Sequence, residues 1–336
     1  MSIILKSYVL PPVLVDNRRQ FVGQYGVTKS GPIDEYHFAY NYTLLNNPYD
    51  TTAIECIGHI QIHVMQPVIL AFTGSCTVSM AGHILQYAVG LFEPDTILDI
   101  YPTQQGLRFY IGCYSGFSAD TVFNSCNSVN REGFGPVLHL NDVLHPNQTL
   151  DNSNKNLLPV LNKSTAKPHF LDDLFSQEIV ASSPNIDNYQ AASQNHSQAV
   201  SENITLIPFV QNFQHKLFST SQCYSFLHEI FTVAPESNRM GYRLDKQHKL
   251  SHTLVLDNSQ VTVLGGLQIT PAGQTIVLMN DKQTVGGYPM MGTVTALGRA
   301  RLGQLSPGCK IKFVAQDIYS AHAQQQMLRA RISDII

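Results

Sequence analysis

The sequence predicts a mainly β fold of barrels or sandwiches with a few short helices. Three observations carry this. Short β-branched or aromatic runs bounded by Gly or Pro crowd both ends of the chain. Helical apolar spacing occurs in only a few places. An Asn- and Ser-rich stretch with neither pattern separates the two ends.

Taken in order, "GPIDEYHFAYNYTLLNN" (31–47) predicts the first helix. Pro32 opens it, Asp34 and Glu35 sit in its first turn, and Phe38, Tyr42 and Leu45 share a face. Strands follow in "QPVILAFTG" (66–74), "CTVSMAGHI" (76–84), "DTILDIYP" (95–102) and "LRFYIGCYSG" (107–116). No Asp, Glu, Lys or Arg occurs from Cys56 to Phe92, yet Gln61, Gln66, Pro67, Ser75, Ser79 and Gln86 interrupt the stretch. No apolar run reaches the roughly 18 residues of a membrane span, so buried strands are expected there. In the Asn-rich stretch, "PHFLDDLFSQEIV" (168–180) could form one short amphipathic helix. Beyond it, "TSQCYSFLHEIF" (220–231) places Tyr224, Leu227 and Phe231 on one helical face. Three or more strands lie within "HTLVLDNSQVTVLGGLQITPAGQTIVLMN" (252–280). A glycine-weakened helix with Val294, Leu297 and Leu305 in phase spans 292–305, and a strand occupies "KIKFVAQ" (310–316). These elements divide the chain into a β-rich domain over 1–144, a linker or insertion over 145–205, and a second β domain over 206–336.

The 336 residues suit two domains, and 43% hydrophobic content suffices for ordinary cores. A net charge of −3 argues against a nucleic-acid binder and gives no attraction to anionic membranes. "MSIILKSYVLPP" is too short in its apolar run to be a secretory signal. The six cysteines contain no C-x-x-C, so they read as reduced thiols in a cytoplasmic protein, and Asn41-Tyr42-Thr43 is no glycosylation site there. The thirteen histidines are scattered, and no metal site is expected.

Four stretches could carry chemistry. In "GQYGVTKSGPIDEYHF", a Gly-rich turn feeds a helix whose first amides could hold an anion. In "PESNRMGYRL", Arg239 and Arg243 offer guanidinium forks suited to a carboxylate or phosphate. In "GGLQITPAGQ", Gln268 interrupts an apolar strand. In "NDKQTVGGYP" (280–289), Asp281, Gln283, Thr284 and Tyr288 accompany a Gly-Gly turn that does not need them.

Read in order, "GVTKSGPIDEYHFAYNYTLLNNP", "AIECIGHI", "FTGS", "ESNRMGYRL", "GLQITPAGQTIVLMNDKQTVGGYP" and "GQLSPG" resemble the family of the 5-oxoprolinase C subunit. That family is also known as allophanate hydrolase subunit 2, or the biotin-dependent carboxyltransferase A/B-domain family. The S-x-R-M-G-Y-R-L and D-x-Q-T-x-G-G-Y-P patterns are specific, and the match spans all but the Asn-rich stretch.

The resemblance implies two linked cyclophilin-like β-barrel domains. It implies a partner like the 5-oxoprolinase B subunit, a lactam-utilisation protein like the A subunit as a further candidate partner, and ATP-dependent opening of 5-oxoproline to glutamate. Alternatives are a carboxyltransferase component of a urea carboxylase-like system, or a non-catalytic regulatory partner of the B-type protein. There is no Gly-x-x-x-x-Gly-Lys-Ser/Thr loop and no Met-Lys-Met biotin site, so ATP or carboxybiotin chemistry would be shared with another chain.

Residue by residue, the resemblance suggests a site. Arg239 or Arg243 would hold a substrate carboxylate. Asp281 would act as base or orient water. Gln268, Gln283 and Thr284 would hydrogen-bond the amide. Backbone N–H groups at Gly286 and Gly287 would face an oxyanion, and Tyr288 would donate through its hydroxyl or pack over the ring. Ser30, Gly31, Asp34, Met240 and Tyr242 complete the expected binding set. The chain departs from the family in four places. Thr28-Lys29 replaces Pro-x before Ser30-Gly31. Cys126 stands where the family has an arginine. "PFVQNFQHK" (208–216) stands for Gly-Pro-Gln, and Gly298 replaces an acid.

Overall fold

The computed structural model describes residues 2–85, 88–104, 106–150, 204–246, 256 and 258–333. The chain forms two compact units, Met1–Ser176 with Leu328–Ile336, and Gln177–Met327.

The first unit is two antiparallel sheets around one core. The seven-stranded sheet runs Phe117–Ser118, Val143–Pro146, Ile3–Tyr8, Ile60–Val64, Ile97–Pro102, Cys76–Met80 and His83–Ile84. The five-stranded sheet runs Val13–Val15, Ala53–Ile57, Arg108–Cys113, Val68–Gly74 and Val89–Phe92. Alternation decides which residues meet: Ile3, Leu5, Ile60, Ile62, Leu98 and Ile100 from one sheet share a core with Leu70, Phe72, Phe109 and Ile111 from the other. The first helix, α1 (Glu35–Leu44), packs on the five-stranded sheet, with Phe38 edge-on to Tyr110 at 5.8 Å.

The second unit is a closed barrel. Its strands follow one another around the wall as Ile204–Gln211, Met290–Val294, Gly266–Ile269, Thr275–Leu278, Gly241–Asp245, Phe231–Val233 and Lys310–Ala315. Neighbours are antiparallel except at the closure, where Ile204–Gln211 lies parallel to Lys310–Ala315. The helix α2 (Thr220–His228) starts from a Ser219–Gln222 capping box and buries Phe226 among Phe209, Phe231 and Phe313. The helix α3 (Ala296–Gly303) is capped by Thr295, and α4 (Ile318–Ser333) ends the described chain.

The mainly β class, the closed barrel and the few helices agree with the sequence reading. Details differ. Helix α1 starts at Glu35 because Asp34 caps it, leaving Pro32 outside. Helix α2 ends at His228, so Phe231 belongs to a strand. Its buried residue is Phe226, while Tyr224 is exposed and stacks on His228. Strands cross residue 144 and begin before residue 206, and most of the Asn-rich stretch, with its expected helix at 168–180, lies outside the described residues. Within the charge-free stretch Val68–Gly74 is a buried strand, Ile60–Val64 and Cys76–Met80 are buried in alternation, and His83–Ile84 is exposed; no helix among the described residues is long and apolar enough to cross a membrane. All six cysteines are free.

Candidate functional site

The antiparallel pair Gly241–Asp245 and Thr275–Leu278 sets the site, because its backbone pairing continues past the strand ends. Met279 N donates to Met240 O at 3.0 Å, and Asp281 N to Arg239 O at 2.8 Å. Two motifs far apart in sequence therefore lie side by side. Arg239 Nε donates to Asp281 Oδ2 at 3.0 Å and Nη2 to Oδ1 at 3.3 Å, a two-pronged pair largely withdrawn from water. Ser237 anchors the turn that delivers Arg239: its Oγ accepts from Arg243 N at 3.1 Å and donates to Arg243 O at 3.2 Å. Asn238 Oδ1 accepts from Met240 N at 2.8 Å.

The chain then runs through Lys282, which sequence reasoning passed over. Its Nζ donates to Thr262 O and Oγ1, both at 3.0 Å, and the Thr262 hydroxyl donates to Gln283 O. Burial lowers the Lys282 amine below the ordinary lysine value, and these acceptors compensate its ammonium. Thr284 O accepts from Thr262 N, and Val285–Gly286 pairs with Gln260–Val261. Gln268 is buried in the strand Gly266–Ile269. A Cβ on Gly286 would come 2.9 Å from Gln268 Nε2 and 3.0 Å from Thr262 Cγ2, so the close backbone approach is at Gly286. Gly287, expected to share that constraint, has only Ser259 Oγ, at 4.0 Å, among the described residues. Tyr288 is 44% exposed.

Strand alternation separates the remaining candidates. Tyr242 is buried, with its hydroxyl donating to Gly303 O at 3.5 Å. Arg243 is exposed and donates from Nη1 to Gln274 Oε1 at 2.9 Å. Met240 is half-buried. Of the two arginines, only Arg239 meets the 280–289 stretch through its side chain.

Ser30, Gly31 and Asp34 lie in the first unit. Ser30 is buried with φ +56°, and Gly31, at φ +110°, abuts the carbonyl of Asp16. Asp34 Oδ1 accepts from Tyr36 N and His37 N, both at 3.1 Å, and Oδ2 lies 2.6 Å from His37 Nδ1. Asp34 thus occupies the helix-start amides that the sequence offered to an external anion. Beneath it, Tyr110 Oη donates to Glu55 Oε2 at 2.8 Å and accepts from Asp34 N at 2.9 Å. Burial, with the Glu55 charge, pushes the Tyr110 hydroxyl well above its ordinary value.

The family departures have structural counterparts. Cys126 is buried, its N donates to Asp16 Oδ2 at 2.9 Å, and burial pushes its thiol up to about 12, which leaves it inert as a nucleophile. At Gly298 a Cβ would come 2.6 Å from Pro208 O, so α3 lies too close to the strand Ile204–Gln211 for any side chain. Gln214, within the "PFVQNFQHK" stretch, is buried and accepts from Met290 N at 2.7 Å. Among the described residues, no cluster of three or more His, Cys, Asp or Glu side chains is arranged to hold a metal ion.

Residues 25–315 match the family profile of the carboxyltransferase domain, subdomain A and B. The chain is 27% identical over 306 residues to the C subunit of 5-oxoprolinase from Haemophilus influenzae, covering 89% of this chain and 86% of that protein. It is 23% identical over 317 residues to urea amidolyase of Saccharomyces cerevisiae, covering 90% of this chain and 16% of that one. Among solved structures, the K. lactis urea amidolyase superposes with a TM-score of 0.78 at 19% identity, over 100% of this chain and 20% of the other.

Proposed function

The chain belongs to the carboxyltransferase domain family of subdomains A and B, and from that premise we propose that it is a cytoplasmic component of an ATP-dependent 5-oxoprolinase-type amidohydrolase. It would work in a heteromer with a protein like the 5-oxoprolinase B subunit and a lactam-utilisation protein like the A subunit. The observation that carries the reading is the Arg239–Asp281 pair, which joins the two most specific family motifs in one place. The sequence match to a 5-oxoprolinase C subunit over most of both chains supports it.

In this reading the lactam is activated by transfer of the ATP γ-phosphoryl group to its amide oxygen. One water then adds to the ring carbon and the C–N bond opens to give γ-glutamyl phosphate, and a second water cleaves that acyl phosphate to glutamate and phosphate. ATP contacts come from a partner. This chain contributes orientation: Arg239, held by Asp281, presents its guanidinium to the substrate carboxylate. The Gln268 amide, Gln283 and Thr284 hydrogen-bond the lactam. The Gly286 and Gly287 amides face the developing oxyanion, and the exposed Tyr288 hydroxyl donates to it. Asp281 serves to orient water through the same pair, since both its oxygens already accept from Arg239.

A second reading rests on the sequence match to yeast urea amidolyase: a carboxyltransferase component that uses carboxybiotin from another chain, with a urea-type substrate. Co-purification with the B-type protein, followed by assays with 5-oxoproline plus ATP, separates the two. Glutamate formation by the complex, with none by this chain alone, is expected. A complex that forms but turns over only with a biotinylated carrier and a urea-type acceptor would replace the first reading by the second.

A further inference from the structure

The first unit contains a small polar cavity of about 260 Å³ that none of the roles above uses. Arg18, Asp50, Thr51, Ser115, Asn147 and Gln148 contribute to its wall. Its guanidinium is positioned from below. Asp16 is fully buried and accepts from Arg18 N and Nε, both at 3.0 Å, from Ser125 Oγ at 2.7 Å and from Cys126 N at 2.9 Å. Arg18 Nη2 donates to Thr52 Oγ1 at 2.6 Å. With Nε and one Nη2 hydrogen so engaged, the two Nη1 hydrogens and the second on Nη2 remain to serve a ligand.

The opposite charge is also present. Asp50 is half-buried and makes no ion pair among the described residues. Ser115 is held rigidly in the cavity wall. It is a non-glycine residue at φ +68°, held there by three bonds: its N donates to Asn47 Oδ1, its O accepts from Asn147 Nδ2, and its Oγ accepts from Gln148 N, each at 2.9 Å. Such conformations persist where the surroundings impose them, and they concentrate at binding sites.

A guanidinium edge, a lone carboxylate and a ring of hydroxyl and amide groups recognise a molecule that bears both charges. We propose that this cavity binds a small polar α-amino acid as its zwitterion, with the carboxylate on Arg18 Nη1 and the ammonium on Asp50. The site belongs to this chain alone, so it stands independently of the reaction proposed above.

Isothermal titration calorimetry on the purified full chain tests it, with L-serine, L-glutamine and L-glutamate as probes and glutarate as the analogue without an ammonium group. Saturable binding of at least one amino acid, and none of glutarate, is expected. Asp50→Asn and Arg18→Gln should each weaken that binding by ~10-fold or more, the worth of one charge-assisted hydrogen bond. Arg18→Gln also unpairs buried Asp16, so its folding is checked by thermal melting; if it fails to fold, Asp50→Asn decides. Absence of binding for all three amino acids at millimolar concentration would overturn the proposal. So would equal binding of glutarate, or unchanged affinity in Asp50→Asn.

Discussion

Both carboxylate oxygens of Asp281 accept hydrogen bonds from a single guanidinium, that of Arg239, and the two side chains are only 11% and 18% exposed. A pair so withdrawn from water acts as a unit. Removing one partner leaves the other charged and poorly solvated. Asp281→Asn and Arg239→Gln should each destabilise the chain by about 1–3 kcal/mol, and the double variant should lose less than the sum. In the reconstituted complex the double variant should also be no slower than the worse single one. Denaturant melts and kcat/KM on the same three proteins check this; strictly additive losses would show that the two residues work separately.

Gly286 and Gly287 should respond differently to the same change. A methyl group at 286 must displace the buried Gln268 amide or the Thr262 methyl, whereas at 287 the nearest atom among the described residues is Ser259 Oγ, at 4.0 Å. Gly286→Ala should lower the melting temperature and activity together, with a stability loss of roughly 1–3 kcal/mol for overpacking. Gly287→Ala should stay within about 0.5 kcal/mol of the parent. Thermal melts of the two variants decide; equal losses would contradict the asymmetry.

Restoring an acid at position 298 should not be tolerated. The first atom of any side chain there meets the Pro208 carbonyl, which is backbone and cannot rotate away. Gly298→Ala should cost on the order of 1–3 kcal/mol, and Gly298→Glu at least as much. A Gly298→Glu chain that melts like the parent would mean that α3 moves freely from the barrel wall.

Lys246 gives the second unit a pH dependence of definite sign. Its ammonium lies 5.6 Å from the centre of the Phe231 ring, and burial lowers its value from 10.5 to about 8, against the opposing pull of Glu229. Between those two values the folded chain has lost a proton that the unfolded chain still holds. Stability therefore gains a rising contribution from pH 8 to 10.5. Lys246→Met should remove that contribution. Urea midpoints measured across this range for both proteins would show it, and identical slopes would dismiss the effect.

Much of the fold is legible because its strands are short and punctuated. "LRFYIGCYSG" and "KIKFVAQ" are bounded by residues that break pairing, and Arg108–Cys113 and Lys310–Ala315 lie inside those bounds. Helix α4 carries no such signal, since only Leu328 and Ile332 of its residues are buried and no apolar stripe marks it. Helix α2 misleads because Tyr224 is as apolar in pattern as Phe226 but stacks on His228 at the surface. At the candidate site, the residue types are visible in the sequence and their pairing is not. Arg239 meets Asp281 because Gly241 stands opposite Leu278, a register that the whole barrel imposes. Gly286 is distinguished from Gly287 by the neighbours Gln268 and Thr262, which arrive from other parts of the chain.

The barrel closes through its own first and last strands, Ile204–Gln211 beside Lys310–Ala315. During synthesis, therefore, the wall cannot shut until the ribosome has released residues through Ala315. Until that moment the nascent unit carries two raw edges and its phenylalanine cluster lacks Phe313. Messages truncated anywhere before that strand would yield a product that is adhesive rather than merely shortened, and a natural client for chaperones. The slow step in folding should be this final docking, because it joins the most distant segments of the unit.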